Sequence, residues 1–391
     1  MTDKKREAVI VSAVRTPVGR YAGELSGFES YQLGGIVVRE AVKRAGIDPS
    51  QIEEVYMGNC EGAPGNIGRV SLLEADIPDT VPGIQFDRQC ASGLETINTA
   101  AAMIESGHGD IYVAGGVECT STAPWFMKKT KRPFSYAPPQ TFMIMCAPPK
   151  IGDPTMGTTA ENVLKIHPVS REKMDEFALN SQRKAVKAIR DGVFKEQIIP
   201  LECYRKGKKV IIDQDESPRP DTTMEGLAAL SPAFIEDGSV TAGNSCPMND
   251  GAAAVVVMSA EKAEELHIKP LLKVKGFAAV GLSPAIMGLG PIGAVRKVLK
   301  KTGVSLDEVE MIELNEAFAS QAVGCIEELG LDMSRVNPNG GAIALGHPTG
   351  ATGAILTTKV AYAMKKAKRK YAIVTMCVGG GEGSATIFER P

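Results

Sequence analysis

The chain has 391 residues, of which 43% are hydrophobic and 23% charged, and its net charge is −2. That is enough apolar material for about two to three packed domains, and it excludes intrinsic disorder. The balance of 44 basic against 46 acidic residues argues against nucleic acid or an anionic membrane as a partner.

Along the chain, AVIVSAV (8–14) predicts the first strand. VYMG (55–58) and DIYVAGG (110–116) predict two more, with amphipathic helical patterns between them. A stretch from about 121 to 248 breaks this rhythm and is rich in Pro, Met and aromatics. It carries one clear helix over 170–192, with Ser170 as cap and Gly192 as stop. Long irregular inserts of this kind usually form binding loops. The segment 249–268 returns to complete the first half. Strands follow at LLKVKGF (271–277), MIELN (311–315) and YAIVTMCV (371–378). Alternating strands and helices imply an α/β fold with a mostly parallel sheet.

The chain also repeats itself. Residues 38–55 align with 295–312 at an offset of 257, which pairs Val38 with Val295, Arg39 with Arg296 and Gly46 with Gly303. The register continues: Gly83 maps to Gly340, Cys90 to His347 and Gly93 to Gly350. A constant register of this length marks a duplicated domain. The expected organisation is an N-terminal half (1–120, completed by 249–268), an inserted loop domain (121–248) and a C-terminal half (269–391).

Four segments combine reactive side chains with a strand–helix junction or dense glycine. In FDRQCASGLETINTAA (86–101), Cys90 stands at or near a helix N-terminus, where free N–H groups and the helix dipole favour a thiolate. A buried structural cysteine is the plainer reading of that position alone. In NPNGGAIALGHPTGATGAIL (337–356), His347 holds the place in the second repeat that Cys90 holds in the first. Five glycines surround it within 339–354, and glycine lets backbone approach a ligand closely. Two equivalent points in a pseudo-twofold pair would face each other, and a Cys–His pair activates a thiol because His takes its proton. Cys377 closes a strand ahead of the run GGGEG, which makes it a second thiol for proton transfer. Asn315 in NEAFAS ends a strand, where it either aims an amide at a carbonyl or water or caps the next helix.

The eight cysteines form no CxxC pair, so neither a metal site nor a disulfide framework is expected. No apolar run approaches the roughly 18 residues of a membrane span. The N-terminal residues lack the apolar core of a signal peptide. These points predict a cytoplasmic protein with no membrane partner.

Together, QCASG, AGN…NDGAA (242–253), NEAFA, GGAIALGHPTGATG (340–353) and CVGGGEGSA (377–385) resemble the thiolase family over nearly the whole chain. The resemblance implies two βαβαβαββ halves in a five-layered α-β-α-β-α core with an inserted loop domain. It also implies an acyl-CoA acyltransferase that condenses two acetyl-CoA or cleaves short 3-ketoacyl-CoA. Coenzyme A and its esters would be substrates, with no tightly bound cofactor, and a homodimer or homotetramer would be expected. By the same resemblance Cys90 is the nucleophile and His347 the base, Cys377 moves the α-proton, and Asn315 positions a water. The amides of Cys90 and Gly379 form an oxyanion hole. Arg219, Phe234, Cys246, Met156 and Met287 fall at positions near the CoA or acyl group.

The chain departs from the family pattern at Asp87, where Asn is common, and at Cys246–Pro247, where Ser–Gly is usual. No His precedes Met156, and Thr349 replaces an aliphatic residue. The altered loop suggests a longer-chain 3-ketoacyl-CoA thiolase as the alternative. A non-catalytic CoA-binding relative is a further one, against which the intact Cys90, His347 and Cys377 argue.

Overall fold

The computed structural model describes residues 6–62, 65–130, 132, 138–205, 207–367 and 369–391. Residues 1–5, part of the leader reading, and 133–137 of the Pro-rich insert lie outside the described residues.

The chain opens with β1 (Ala8–Arg15), buried along its whole length. A two-residue β2 (Gly19–Arg20) follows. Helix α1 (Ser30–Ala45) ends at Gly46, which takes φ 68° and returns its N–H to the carbonyls of Val42 and Lys43. Then come β3 (Glu54–Gly58), α2 (Ile67–Glu74), β4 (Gly83–Phe86), α3 (Ser92–Glu105) and β5 (Ile111–Cys119). The insert forms the small hairpins β6–β7 (Phe126–Met127, Thr141–Phe142) and β8–β9 (Leu201–Arg205, Lys208–Ile212). Between these hairpins lie α4 (Met156–Ile166) and α5 (Arg171–Arg190), and the short α6 (Met224–Ala228) follows the second. The Ser170 hydroxyl caps α5 by accepting the Lys173 N–H, and Gly192 lies beyond its end at φ 67°.

The return segment is β10 (Asn249–Ser259) and α7 (Ala260–Glu265). The second half runs β11 (Leu272–Gly281), α8 (Gly290–Thr302), β12 (Val309–Leu314), α9 (Ala319–Leu329), α10 (Ala342–Leu345), α11 (Thr352–Ala367), β13 (Tyr371–Val378) and β14 (Glu382–Glu389). Helix α8 stops at Gly303 with φ 72°, the same left-handed device that ends α1 257 residues earlier.

The strand order β12-β13-β14-β11-β1-β10-β5-β3-β4 joins both halves edge to edge. The seam is short: Val9 pairs with Lys273 and Ile10 with Leu272. Helices α3 and α11 lie between the two half-sheets in one apolar cluster drawn from both. On the outer faces, α1 and α2 cover the N-terminal half-sheet, and α8 and α9 cover the other. This is the five-layered arrangement expected.

The mostly parallel sheet is not what forms. Among the described residues, only β3/β4, β3/β5 and β12/β13 pair as parallel strands. The pairings of β1, β10, β11 and β14 are antiparallel. The cause is the return strand: β10 inserts antiparallel between β1 and β5, and β14 does the same between β11 and β13. Both faces are covered by helices, so these strands read as continuous apolar runs, the pattern that suggested parallel pairing.

Candidate active site

Cys90 sits on a tight turn between β4 and α3. The Asp87 carboxylate accepts the Gln89 N–H at 2.9 Å and holds Gln89 at φ 45°, a left-handed conformation costly for any residue with a Cβ. Ser92 braces the same turn, accepting the Arg88 N–H at 2.9 Å and donating to the Gln89 carbonyl at 2.7 Å. Asp87, a departure from the family pattern, thus fixes the residue before Cys90. Cys90 lands one residue ahead of Ala91, the N-cap of α3. The backbone N–H groups of Gly379 and of Cys90 itself pull its thiol pKa down.

A thiolate is not the resting state there. Burial outweighs both N–H groups and, with charge repulsion from Cys146 and Glu61, pushes the thiol up to about 12. Burial, which helix position leaves out, works against the dipole at this sulfur.

His347 is also buried, and burial pulls its pKa down to about 4. It is a neutral imidazole with a defined tautomer. Nδ1 lies 2.6 Å from the Thr352 hydroxyl, which donates its own proton to the Pro348 carbonyl at 2.9 Å. Nδ1 therefore donates, and Nε2 is the free acceptor. Asn315, fully buried at the end of β12, brings its amide nitrogen to 3.4 Å from Nε2. Its Oδ1 is buried with no partner among the described residues. The His347 backbone is held by Asn249, whose Oδ1 accepts its N–H at 2.8 Å.

Cys377 is completely buried on β13, in a cluster with Ala160, Val240, Met287, Ala317 and Phe318, with Met156 packed against it. Burial raises its thiol well above the ordinary range, and Cys90, Cys325 and Cys246 oppose its ionisation further. Cys246 is pushed up to about 12 by burial, with Cys90 again opposing. Cys90, Cys246 and Cys377 are therefore close enough to resist one another's charge.

A cavity of about 440 Å³ opens beside this group, lined by Arg219, Gln182, Ser217, Leu227, Ser245 and Pro247. Ser245 and Pro247 flank Cys246, which connects the cavity to the thiols. Phe234 does not line it; its ring is partly exposed and stands edge-on to Phe318, 5.8 Å between centroids. The structure thus gathers Cys90, Cys246, Cys377 and Gly379, and separately His347 with Asn315. The two sets meet where α3 packs against α11, so closely that a Cβ on Gly353 would lie 2.2 Å from the Leu94 nitrogen.

Sequence reasoning missed Thr352, Asn249 and Cys146. Thr352 sets the tautomer of His347, and only its place one turn after the histidine hinted at that. Asn249 lay inside a quoted motif without a role. Cys146, from the insert, packs its sulfur 3.2 Å from where a Gly379 Cβ would stand. Among the described residues no cluster of His, Cys, Asp and Glu could hold a metal, all eight cysteines are free, and no helix is long and apolar enough to cross a membrane. A buried thiol, a neutral imidazole, a second thiol and converging N–H donors are the parts for acyl transfer through sulfur coupled to proton movement.

Comparison with known proteins is consistent with these parts. The family described as "Thiolase, N-terminal domain" matches residues 8–261, and "Thiolase, C-terminal domain" matches 268–390. An acetyl-CoA acetyltransferase of Syntrophomonas wolfei is 43% identical, over 98% of this chain and 99% of that protein. A 3-ketoacyl-CoA thiolase of Bacillus subtilis is also 43% identical, with the same coverage. The crystal structure of the Bacillus anthracis acetyl-CoA acetyltransferase superposes with a TM-score of 0.95 at 40% identity, covering 100% of both chains.

Proposed function

The chain belongs to the thiolase family, and from that premise we propose how its residues divide the acyl transfer. In the condensing direction, Cys90 sulfur attacks the carbonyl of acetyl-CoA as His347 Nε2 takes the thiol proton. Free CoA leaves with that proton, and acetyl-Cys90 remains. Cys377 then passes its thiol proton to His347 Nε2 and, as the thiolate, removes an α-proton from a second acetyl-CoA. The resulting enolate attacks the acetyl carbon, a carbon–carbon bond forms, and Cys90 leaves as the thiol with the proton that His347 returns. Thiolysis is the reverse. The amides of Cys90 and Gly379 hold the oxyanion at the acyl carbon. The Nε2–H that His347 carries at that stage and a water on Asn315 Oδ1 hold the enolate oxygen. Such preorganised donors carry much of the acceleration in chemistry of this kind.

The observation that carries this reading is the fixed tautomer of the buried His347, Nδ1 on the Thr352 hydroxyl at 2.6 Å and Nε2 left to accept, with the Gly379 N–H lowering the Cys90 pKa from the other strand. Gly379 lies two residues past Cys377, so the nucleophile and the proton-moving thiol share one backbone clamp. The 440 Å³ cavity beside Cys246 is the natural seat for CoA, with Arg219 toward its nucleotide end. Cys246 lies on the path from that cavity to Cys90. The preferred substrate is a four-carbon 3-ketoacyl-CoA, since Met287 and Phe318 fill the space around Cys377 and Met156 packs beside them. Phe234 contributes by backing Phe318.

The same reading keeps the division into 1–120 with 249–268, 121–248 and 269–391. It also keeps a cytoplasmic homodimer or homotetramer with no tightly bound cofactor; resemblance supports these.

The test is thiolysis of 3-ketoacyl-CoAs of increasing chain length. Activity should be highest with acetoacetyl-CoA and fall as the chain lengthens. A rate that holds or rises with length would refute the short-chain assignment.

A further inference from the structure

The strand β5 carries one charged residue in an otherwise apolar run, Glu118, which is 1% exposed. Burial of an unpaired carboxylate is costly, yet this one is fully engaged. Its Oε1 accepts the Asn59 side-chain amide at 2.6 Å and the Glu61 N–H at 3.2 Å. Its Oε2 accepts the Cys60 N–H at 3.0 Å, the Cys60 thiol at 3.1 Å and the Gly350 N–H at 2.9 Å. The last bond crosses between the repeats, since every other donor belongs to 59–61 and Gly350 lies three residues past His347.

The reach is close on both sides. The Gly350 carbonyl lies where side chains on Gly58, Gly93 and Gly116 would stand, 2.0 to 2.8 Å from their ideal Cβ positions. A second carboxylate repeats the tie, as Glu61 accepts the Thr349 hydroxyl at 3.0 Å. Two glutamates of the first half thus grip consecutive residues of the turn that carries His347. Burial and the neighbouring Glu61 push the Glu118 carboxyl up, while the Cys60 and Glu61 N–H groups and the Cys60 thiol pull it back down, so it is held as an acceptor by its donors and not by a countercharge.

We propose that Glu118, with Glu61 in support, is a positioning residue that sets His347 against Cys90 by anchoring Gly350 and Thr349 to the nucleophile's half. This rests on the reading of His347 as the base for Cys90. Glutamine at 118 would turn one acceptor into a donor facing other donors, so the anchor fails without loss of side-chain volume.

The experiment compares Glu118→Gln, Thr349→Val and His347→Ala in the full-length enzyme, by steady-state thiolysis and by iodoacetamide alkylation of Cys90 followed by peptide mass spectrometry. E118Q should lower kcat roughly ten- to hundredfold, as misplacement of a catalytic group by about 1 Å does, with KM for CoA unchanged. Cys90 alkylation at fixed pH should slow in E118Q as it does in H347A. T349V should show the same pattern to a smaller degree. A folded E118Q with wild-type kcat, or with lowered kcat and unchanged Cys90 alkylation, would overturn the proposal. If E118Q does not fold, T349V decides: wild-type kcat and alkylation there overturn it equally. H347A that retains turnover would instead bring down the assignment of the base itself, and with it the anchor.

Discussion

At the scale of single residues, the proposed pair of Cys90 and His347 rests neutral. With the thiol near 12 and the imidazole near 4, the proton moves only when substrate arrives. Alkylation of Cys90 in the free enzyme should therefore rise about tenfold per pH unit from 6 to 9; a plateau near pH 7 would reveal a preformed ion pair. Cys90→Ala should abolish acyl-enzyme, read as loss of the burst of CoA release from acetyl-CoA. Cys377→Ala should still acylate at Cys90 but lose condensation by a factor of at least about 100, on the scale of general acid–base catalysis. The imidazole also couples to stability. Its native pKa near 4 lies below the ordinary 6.5, so the unfolded chain binds a proton that the native state refuses. Stability from this source is complete above pH 6.5 and is lost as pH falls toward 4. His347→Gln should flatten that part of a melting-temperature profile. The candidate residues were legible because each stands in a dense motif; the shifts in their pKa were not, because burial depends on layers brought together from both halves.

At the scale of elements, the N-terminal turns of α3 and α11 are packed backbone to backbone. Gly353→Ala would force Cβ against Leu94, an overpacking that typically costs about 1–3 kcal/mol. It should lower both the unfolding midpoint in urea and kcat, since the same contact sets the meeting of the two site halves. A second element-scale anchor is the pair Arg15–Asp215, 2.6 Å apart and inaccessible to solvent. Asp215 also accepts the Val18 N–H, and four residues on stands Arg219 at the cavity. Arg15→Met should destabilise by about 3–5 kcal/mol because it strands a buried carboxylate, and KM for CoA should rise as the 215–219 loop loosens. The main helices and strands were legible from periodicity and caps: both Gly46 and Gly303 end their helices as their common register implies. Strand direction was not, because an apolar run covered on both faces reads alike whether its neighbour is parallel or antiparallel.

At the scale of the whole molecule, the duplication visible at an offset of 257 is also the geometry of the site. Cys90 precedes one buried helix and His347 its counterpart, and both helices share a single apolar cluster with both half-sheets. The half-sheets themselves meet through only the Val9–Lys273 and Ile10–Leu272 pairs. Neither half can lose its packing without exposing the other, so thiolysis and far-UV circular dichroism should fall together in urea. Activity lost well before the helix signal would show the halves separating first. The arithmetic of the repeat therefore points to the two poles of the proposed site, while the insert, which has no repeat partner, hid the contribution of Cys146.

The three mutually opposing thiols carry a last consequence for the proposed reaction. A cluster that resists a second negative charge behaves as a one-seat arrangement, in which a new occupant needs the previous one gone. A thioester cannot ionise, so once Cys90 is acylated it no longer competes with Cys377 for the single charge the cluster admits. Bond formation at the first sulfur thereby leaves that seat to the second, and the covalent step sets the order of events without any moving part.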